Sequence, residues 1–138
     1  MPVTDLARSE VVTADLGTPV ADLAERMADE RVGSIVITEG DEPVGIVTDR
    51  DLAVRALTDA TPADLVAENV MSEDLVTVSP DAGFYEATEL MSEHGVRRLP
   101  VTDEGTLVGI VTADDLHELL ADEQEQFADV IRAQRPAY

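Results

Sequence analysis

The chain has 138 residues, with 30 Asp and Glu against 9 cationic side chains, for a formal net charge of −21. Its 44% hydrophobic fraction is that of an ordinary globular chain of one domain or two small halves, and it argues against disorder. The charge repels a nucleic-acid duplex, no apolar run nears the ~18 residues of a membrane span, and residues 1–5 lack the basic start and apolar core of a leader.

The expectation is therefore a soluble cytoplasmic protein with no nucleic-acid and no membrane partner. All nine cations are Arg, and there is neither Lys nor Cys. Without Cys there is no disulfide, no thiolate nucleophile and no Cys-ligated zinc. Many carboxylates beside zero Lys suit a cell whose molar salt shortens the Debye length to about 3 Å. The expected source is a salt-accumulating halophilic archaeon.

Residues 12–52 align without a gap to 76–116, an offset of 64, with 13 identities in 41 positions. Average composition would give roughly three or four. The chain therefore contains one unit twice, and the elements follow in the same order in each copy. A short β-rich run (11–13; 75–78) comes first. A helix follows, with an apolar stripe of Val20, Leu23, Ala24 and Met27, or Phe84, Ala87 and Met91, at helical spacing. Thr18 before Pro19 predicts a capped start with Pro at the first helical position. Two strands come next, 34–38 with 44–48 and 98–102 with 107–112, joined by acidic hairpin loops. Pro100 predicts an edge position for its strand. A closing helix carries Leu52, Ala56 and Leu57, or Leu116, Leu119 and Leu120. Each unit thus reads β-α-β-β-α, an α/β (α+β) fold.

Between the copies, Thr61 to about Glu68 predicts a short connecting helix. After the second copy, 122–132 reads as a further helix with Phe127, Val130 and Ile131 on one face, suited to packing on the parent domain or across a dimer. The expected boundaries are 1–58 for the first unit, 59–69 for the linker, 70–120 for the second unit and 121–138 for a C-terminal helix and tail.

The best-matched stretch is Val44-Gly45-Ile46-Val47-Thr48-Asp49-Arg50-Asp51-Leu52 against Val108-Gly109-Ile110-Val111-Thr112-Ala113-Asp114-Asp115-Leu116. It is a strand emptying into a helix through Thr-x-x-Asp. A purely structural account makes it a capping box, for which Asp is a short substitute for Glu or Gln. A functional account has the carboxylate accept two hydrogen bonds from vicinal hydroxyls, with the Thr hydroxyl meeting sugar or phosphate. Asp49 and Asp51 at one helix start suit a sugar better than a bare phosphate.

The repeated unit ending in Gly-Ile-Val-Thr-x-x-Asp, preceded in the second copy by His94-Gly95-Val96-Arg97-Arg98-Leu99-Pro100-Val101, resembles the CBS (cystathionine β-synthase) domain. Two tandem copies resemble a stand-alone CBS pair, or Bateman module, over about 11–120. The resemblance implies two units packed by their sheets about a pseudo-twofold axis, with two related clefts that bind AMP, ADP, ATP or S-adenosylmethionine. It implies that Thr112 and Asp115 hold ribose and nearby phosphate in one cleft, with Thr13, Val32 and Ser34 around the base. Arg97 and Arg98 would meet phosphate as planar forks. The related cleft would use Thr48, Asp51, Thr77 and Val96. Gly33-Ser34 stands where the second copy has Arg97-Arg98, so the clefts are expected to be unequal. Screening by molar salt favours few phosphates on the ligand.

By the same resemblance two chains form a homodimer, with a regulated protein as a further partner. No catalytic residue, metal site or required cofactor is expected, and the protein is not read as an enzyme. His94 and His117 stand 23 apart and make a poor zinc signal. The rival account is a ligand-free dimeric interaction or scaffold module in which Thr-x-x-Asp is only a cap.

Overall fold

The computed structural model describes residues 1–136. The first unit holds β1 (Thr13–Ala14), α1 (Val20–Glu30), β2 (Ser34–Glu39), β3 (Glu42–Thr48) and the one-turn α2 (Asp49–Asp51), which continues as a π-helical turn over Leu52–Ala56. A 3-10 turn (Pro62–Asp64) and α3 (Ala67–Val70) connect it to the second unit. That unit holds α4 (Phe84–His94), β4 (Arg98–Asp103), β5 (Thr106–Thr112) and α5 (Ala113–Gln134). β1 pairs parallel with β2 and β2 antiparallel with β3, while β4 pairs antiparallel with β5. The mixed α/β architecture and the repeat both stand.

The offset of 64 extends to the backbone pairing. Ala14 bridges Ile37 as Val78 bridges Val101, Ile46 bridges Ser72 as Arg8 bridges Ile110, and Pro19 bridges Val66 as Pro2 bridges Gly83. These pairs reveal an exchange of segments. The N-terminal residues cover the second unit, where Val3 is fully buried with Val78, Ala87, Leu99 and Leu116. The connecting residues cover the first unit, where Ala67, Val70 and Met71 join Leu23, Met27, Ile35 and Val47. Packing therefore crosses the linear boundaries drawn at 58 and 70. The last two positions of the 121–138 segment lie outside the described residues.

Several local expectations need correction. Thr18 does not cap α1. Its hydroxyl donates to Asp15 Oδ1 at 3.0 Å, and Pro19, with extended ψ of 142°, is the N-cap. Pro100 does lie in an edge strand, since β4 and β5 form a two-stranded sheet, though it is buried and its carbonyl accepts from Val78 N at 3.0 Å. Its missing N–H keeps that edge from gaining a third strand. Val36 N donates to Val12 O at 3.1 Å, whereas Pro100 has no proton for Val76, so β1 has only an isolated bridge as its counterpart. The connecting helix breaks at Leu65, whose ψ of 144° is extended. Segment 122–132 is no separate helix but the end of the 22-residue α5. Phe127, Val130 and Ile131 stay exposed on it, as do Leu57 and Leu120 of the closing helices.

Candidate functional site

The motif glycine fixes how the clefts are built. An added Cβ at Gly45 would lie 2.5 Å from Met71 Sδ and 3.0 Å from the Ser72 carbonyl oxygen. One at Gly109 would lie 3.0 Å from the Arg8 carbonyl oxygen. Glycine at these places lets the exchanged segment cross the strand closely. Each crossing sets residue 72 or 8 beside the strand end where Thr-x-x-Asp begins.

Two clefts lie there, related by the repeat. The larger, about 930 Å³, is lined by Thr48, Asp51, Val96, Arg97 and Arg98, together with Arg50, Arg55, Ser72 and Glu73. The smaller, about 260 Å³, is lined by Val32, Ser34, Arg98, Thr112 and Asp115, together with Arg8, Glu10 and Arg31. Ligand pockets usually enclose roughly 300–1,000 Å³, so only the larger cleft lies in that range. The two clefts thus differ in size as well as in lining. Arg98 lines both clefts, and its guanidinium nitrogen would come within 2.8 Å of a Cβ at Gly33.

Two expected positions fall elsewhere. Thr13 and Thr77 line neither cleft. The parallel register sets Thr13 opposite Val36, so Val11 stands beside Ser34 at the cleft mouth and Thr13 lies two residues beyond it. Thr77 follows the same register and is exposed. Arg97 lies at the Asp51 cleft, the second of the two places the resemblance allowed it, and its Nη2 donates to Asp114 Oδ1 at 3.0 Å.

The two motif carboxylates have different partners. Thr48 Oγ1 accepts from Asp51 N at 3.2 Å and Thr48 N donates to Asp51 Oδ2 at 2.9 Å, a complete capping box. Asp51 Oδ1 stands 3.8 Å from Arg55 Nε, while Arg55 Nη1 donates to the carbonyls of Val70 and Met71, each at 3.2 Å. The π-helical turn carries Arg55 to that point, where it also meets the C-terminal carbonyls of α3. In the second unit Thr112 Oγ1 likewise accepts from Asp115 N at 3.2 Å. The Asp115 carboxylate, however, is forked by Arg8, with Nη2 donating to Oδ1 at 2.9 Å and Nε to Oδ2 at 3.4 Å. That hydrogen bonding holds the Asp115 carboxyl below its ordinary range. Burial opposes the effect, and Thr112 and the guanidinium charge add to it. Arg8 is raised in turn, first by its hydrogen bond to Asp115.

Arg8, Arg31, Arg50, Arg55 and Ser72 escaped the sequence reading. The signal for Arg8 and Ser72 was the offset itself, carried on upstream of residue 12. There Val3, Leu6 and Ala7 match Ala67, Val70 and Met71 in pattern but not in identity. Chemically, the clefts offer carboxylate acceptors for hydroxyls beside guanidinium donors for phosphate. Among the described residues no group of three or more His, Cys, Asp or Glu is placed to hold a metal ion, and no helix is long and apolar enough to cross a membrane. His94 and His117 are exposed.

Fold and site together define a tandem-repeat α/β module with paired clefts at its strand-to-helix turns. The chain belongs to the CBS domain family, whose domain matches residues 3–57 and 66–122. It is 38% identical over 117 residues to the uncharacterized protein MK0525 of Methanopyrus kandleri, covering 83% of this chain and 60% of that one. It is 34% identical over 114 residues to the CBS domain-containing protein YhcV of Bacillus subtilis, covering 83% and 81%. The CBS domain pair of protein MJ0100, solved in complex with 5′-methylthioadenosine and S-adenosyl-L-methionine, superposes with a TM-score of 0.82 at 24% identity, over 89% of this chain and 98% of that one. These relatives lend no support to a halophilic source.

Proposed function

We propose that the chain is a non-enzymatic regulatory module that binds an adenine nucleotide or a related adenosyl compound in the larger cleft. The observation that carries this reading is the gathering of Arg50, Arg55, Arg97 and Arg98 around Thr48 and Asp51. Four of nine cations converge on one cleft of a chain whose net charge is −21. Guanidinium forks match phosphate, and the Asp51 carboxylate matches the vicinal hydroxyls of a ribose. Asp49, Asp51, Glu73 and Asp74 line the same cleft, so four carboxylates offset the four guanidiniums and the arrangement suits a sugar with few phosphates. The adenosyl ligands of MJ0100 support the adenosine part.

In this reading Thr112, Asp115, Val32 and Ser34 form a second, weaker subsite. No catalytic group or required cofactor enters, and the module works in the cytoplasm on a separate regulated protein. A homodimer belongs to the same proposal, with Phe127, Val130 and Ile131 as exposed apolar residues such an assembly could cover. The capping box at Thr48 and Asp51 favours the second reading, an interaction module with empty clefts, because it gives the motif a purely structural task.

Thermal unfolding with AMP, ADP, ATP and S-adenosylmethionine separates the two. A ligand at about a hundred times its Kd adds roughly 2.7 kcal/mol, a midpoint rise of several degrees for a chain of this size. The expected result is a rise for one compound that is lost in Asp51→Asn, whose amide oxygen still serves the cap. No rise for any compound would leave the interaction module as the better account.

A further inference from the structure

From the Arg8–Asp115 fork we propose that Arg8 is an internal plug that withholds the second cleft from its ligand and so sets one binding event per chain. This rests on the nucleotide-binding reading above. A ribose hydroxyl needs an oxygen of the motif carboxylate that no other donor occupies. Both Asp115 oxygens already accept from Arg8, at 2.9 and 3.4 Å. The plug is anchored by its backbone: Arg8 N donates to Ile110 O at 2.9 Å and Ile110 N to Arg8 O at 3.0 Å. The close crossing over Gly109 holds the same segment down.

The first unit supplies the control. Ser72 makes the same two-way pair with Ile46, at 2.9 and 3.3 Å, but its side chain is too short to fork a carboxylate. Asp51 therefore keeps an oxygen that no hydrogen bond occupies, with Arg55 Nε at 3.8 Å. At this repeat position the exchange of Ser72 for Arg8 decides whether the motif carboxylate is forked. Arg8 is 70% exposed at its side chain, so it can swing away without unfolding the crossing. A ligand that enters the second cleft must supply its own partner for the released guanidinium.

The test exchanges the two residues. Arg8→Ser and Ser72→Arg each install the side chain found at the other copy's position, and each is titrated calorimetrically with AMP, ADP, ATP and S-adenosylmethionine beside the unaltered protein. One equivalent per chain is expected for the unaltered protein and two for Arg8→Ser. Ser72→Arg should weaken the first site by up to about fivefold by forking Asp51, the range an exposed pair allows. If the unaltered protein binds two equal equivalents, or Arg8→Ser gains none while one equivalent persists, the plug is wrong and the binding reading survives. Failure of every compound to bind any of the three proteins overturns both.

Discussion

Asp51 and Asp115 occupy one repeat position, yet the first closes a capping box and the second holds an arginine from 107 residues away. Thr-x-x-Asp was legible because strand, turn and cap are local in sequence. Arg8 was not, because its contact depends on a tertiary crossing that no spacing announces. Thr13 and Thr77 failed for a related reason. A hydroxyl in a short strand was placed by type, whereas the parallel register sets them two residues beyond the clefts. The Arg8–Asp115 pair also predicts a pH dependence. Asp115 is depressed in the folded chain, so its contribution is fully present above the unfolded carboxyl value of about 3.9 and is lost as pH falls through the folded value. Arg8 stays charged throughout this range. In low salt, Arg8→Ser should lower the unfolding free energy by the small amount of an exposed pair, roughly 0–1 kcal/mol. The difference from the unaltered protein should hold steady from neutral pH to about pH 5 and shrink below pH 4. A difference that widens on acidification would reverse the sign assigned here.

At the scale of elements, the two β-α-β-β-α units were readable because their helices and strands carry their own periodicities. Val20, Leu23 and Met27 are buried on α1, and Ala87 and Met91 on α4, as their spacing requires. The exchanged segments were hidden because Val3, Leu6 and Ala7 resemble Ala67, Val70 and Met71 only in apolar pattern, which a comparison by identity passes over. Gly45 and Gly109 recorded the exchange all along, since each marks where a segment crosses. Gly45→Ala tests that role. The new methyl would meet Met71 Sδ, in a side chain buried in the first core, and would press on the Ser72 carbonyl. Overpacking of this kind costs about 1–3 kcal/mol. Denaturant unfolding should show that loss with an unchanged slope, since the exposed surface stays the same. Full stability in Gly45→Ala would mean that the crossing is loose and that the glycine serves something other than close approach.

At the scale of the whole molecule, charge dominates what packing leaves open. No charged residue is buried among those described, so the negative charge lies where solvent ions reach it. Among the described residues five ion pairs engage arginines that are 41–70% exposed, which leaves most of the 30 carboxylates there without a cation. Salt therefore acts in two directions. It weakens a few exposed pairs worth roughly 0–1 kcal/mol each, and it screens repulsion among the many remaining carboxylates. The second effect involves more charges and should win. The unfolding midpoint should rise as KCl increases, and most of the rise should come below about 1 M, where the Debye length has already shrunk to about 3 Å. A rise continuing linearly through several molar would instead point to exclusion of salt from apolar surface, for which sulfate should far outdo chloride. A midpoint that is flat or falls with KCl would show that the carboxylates are spaced widely enough to need no screening, and the acidic composition would then carry no information about salt.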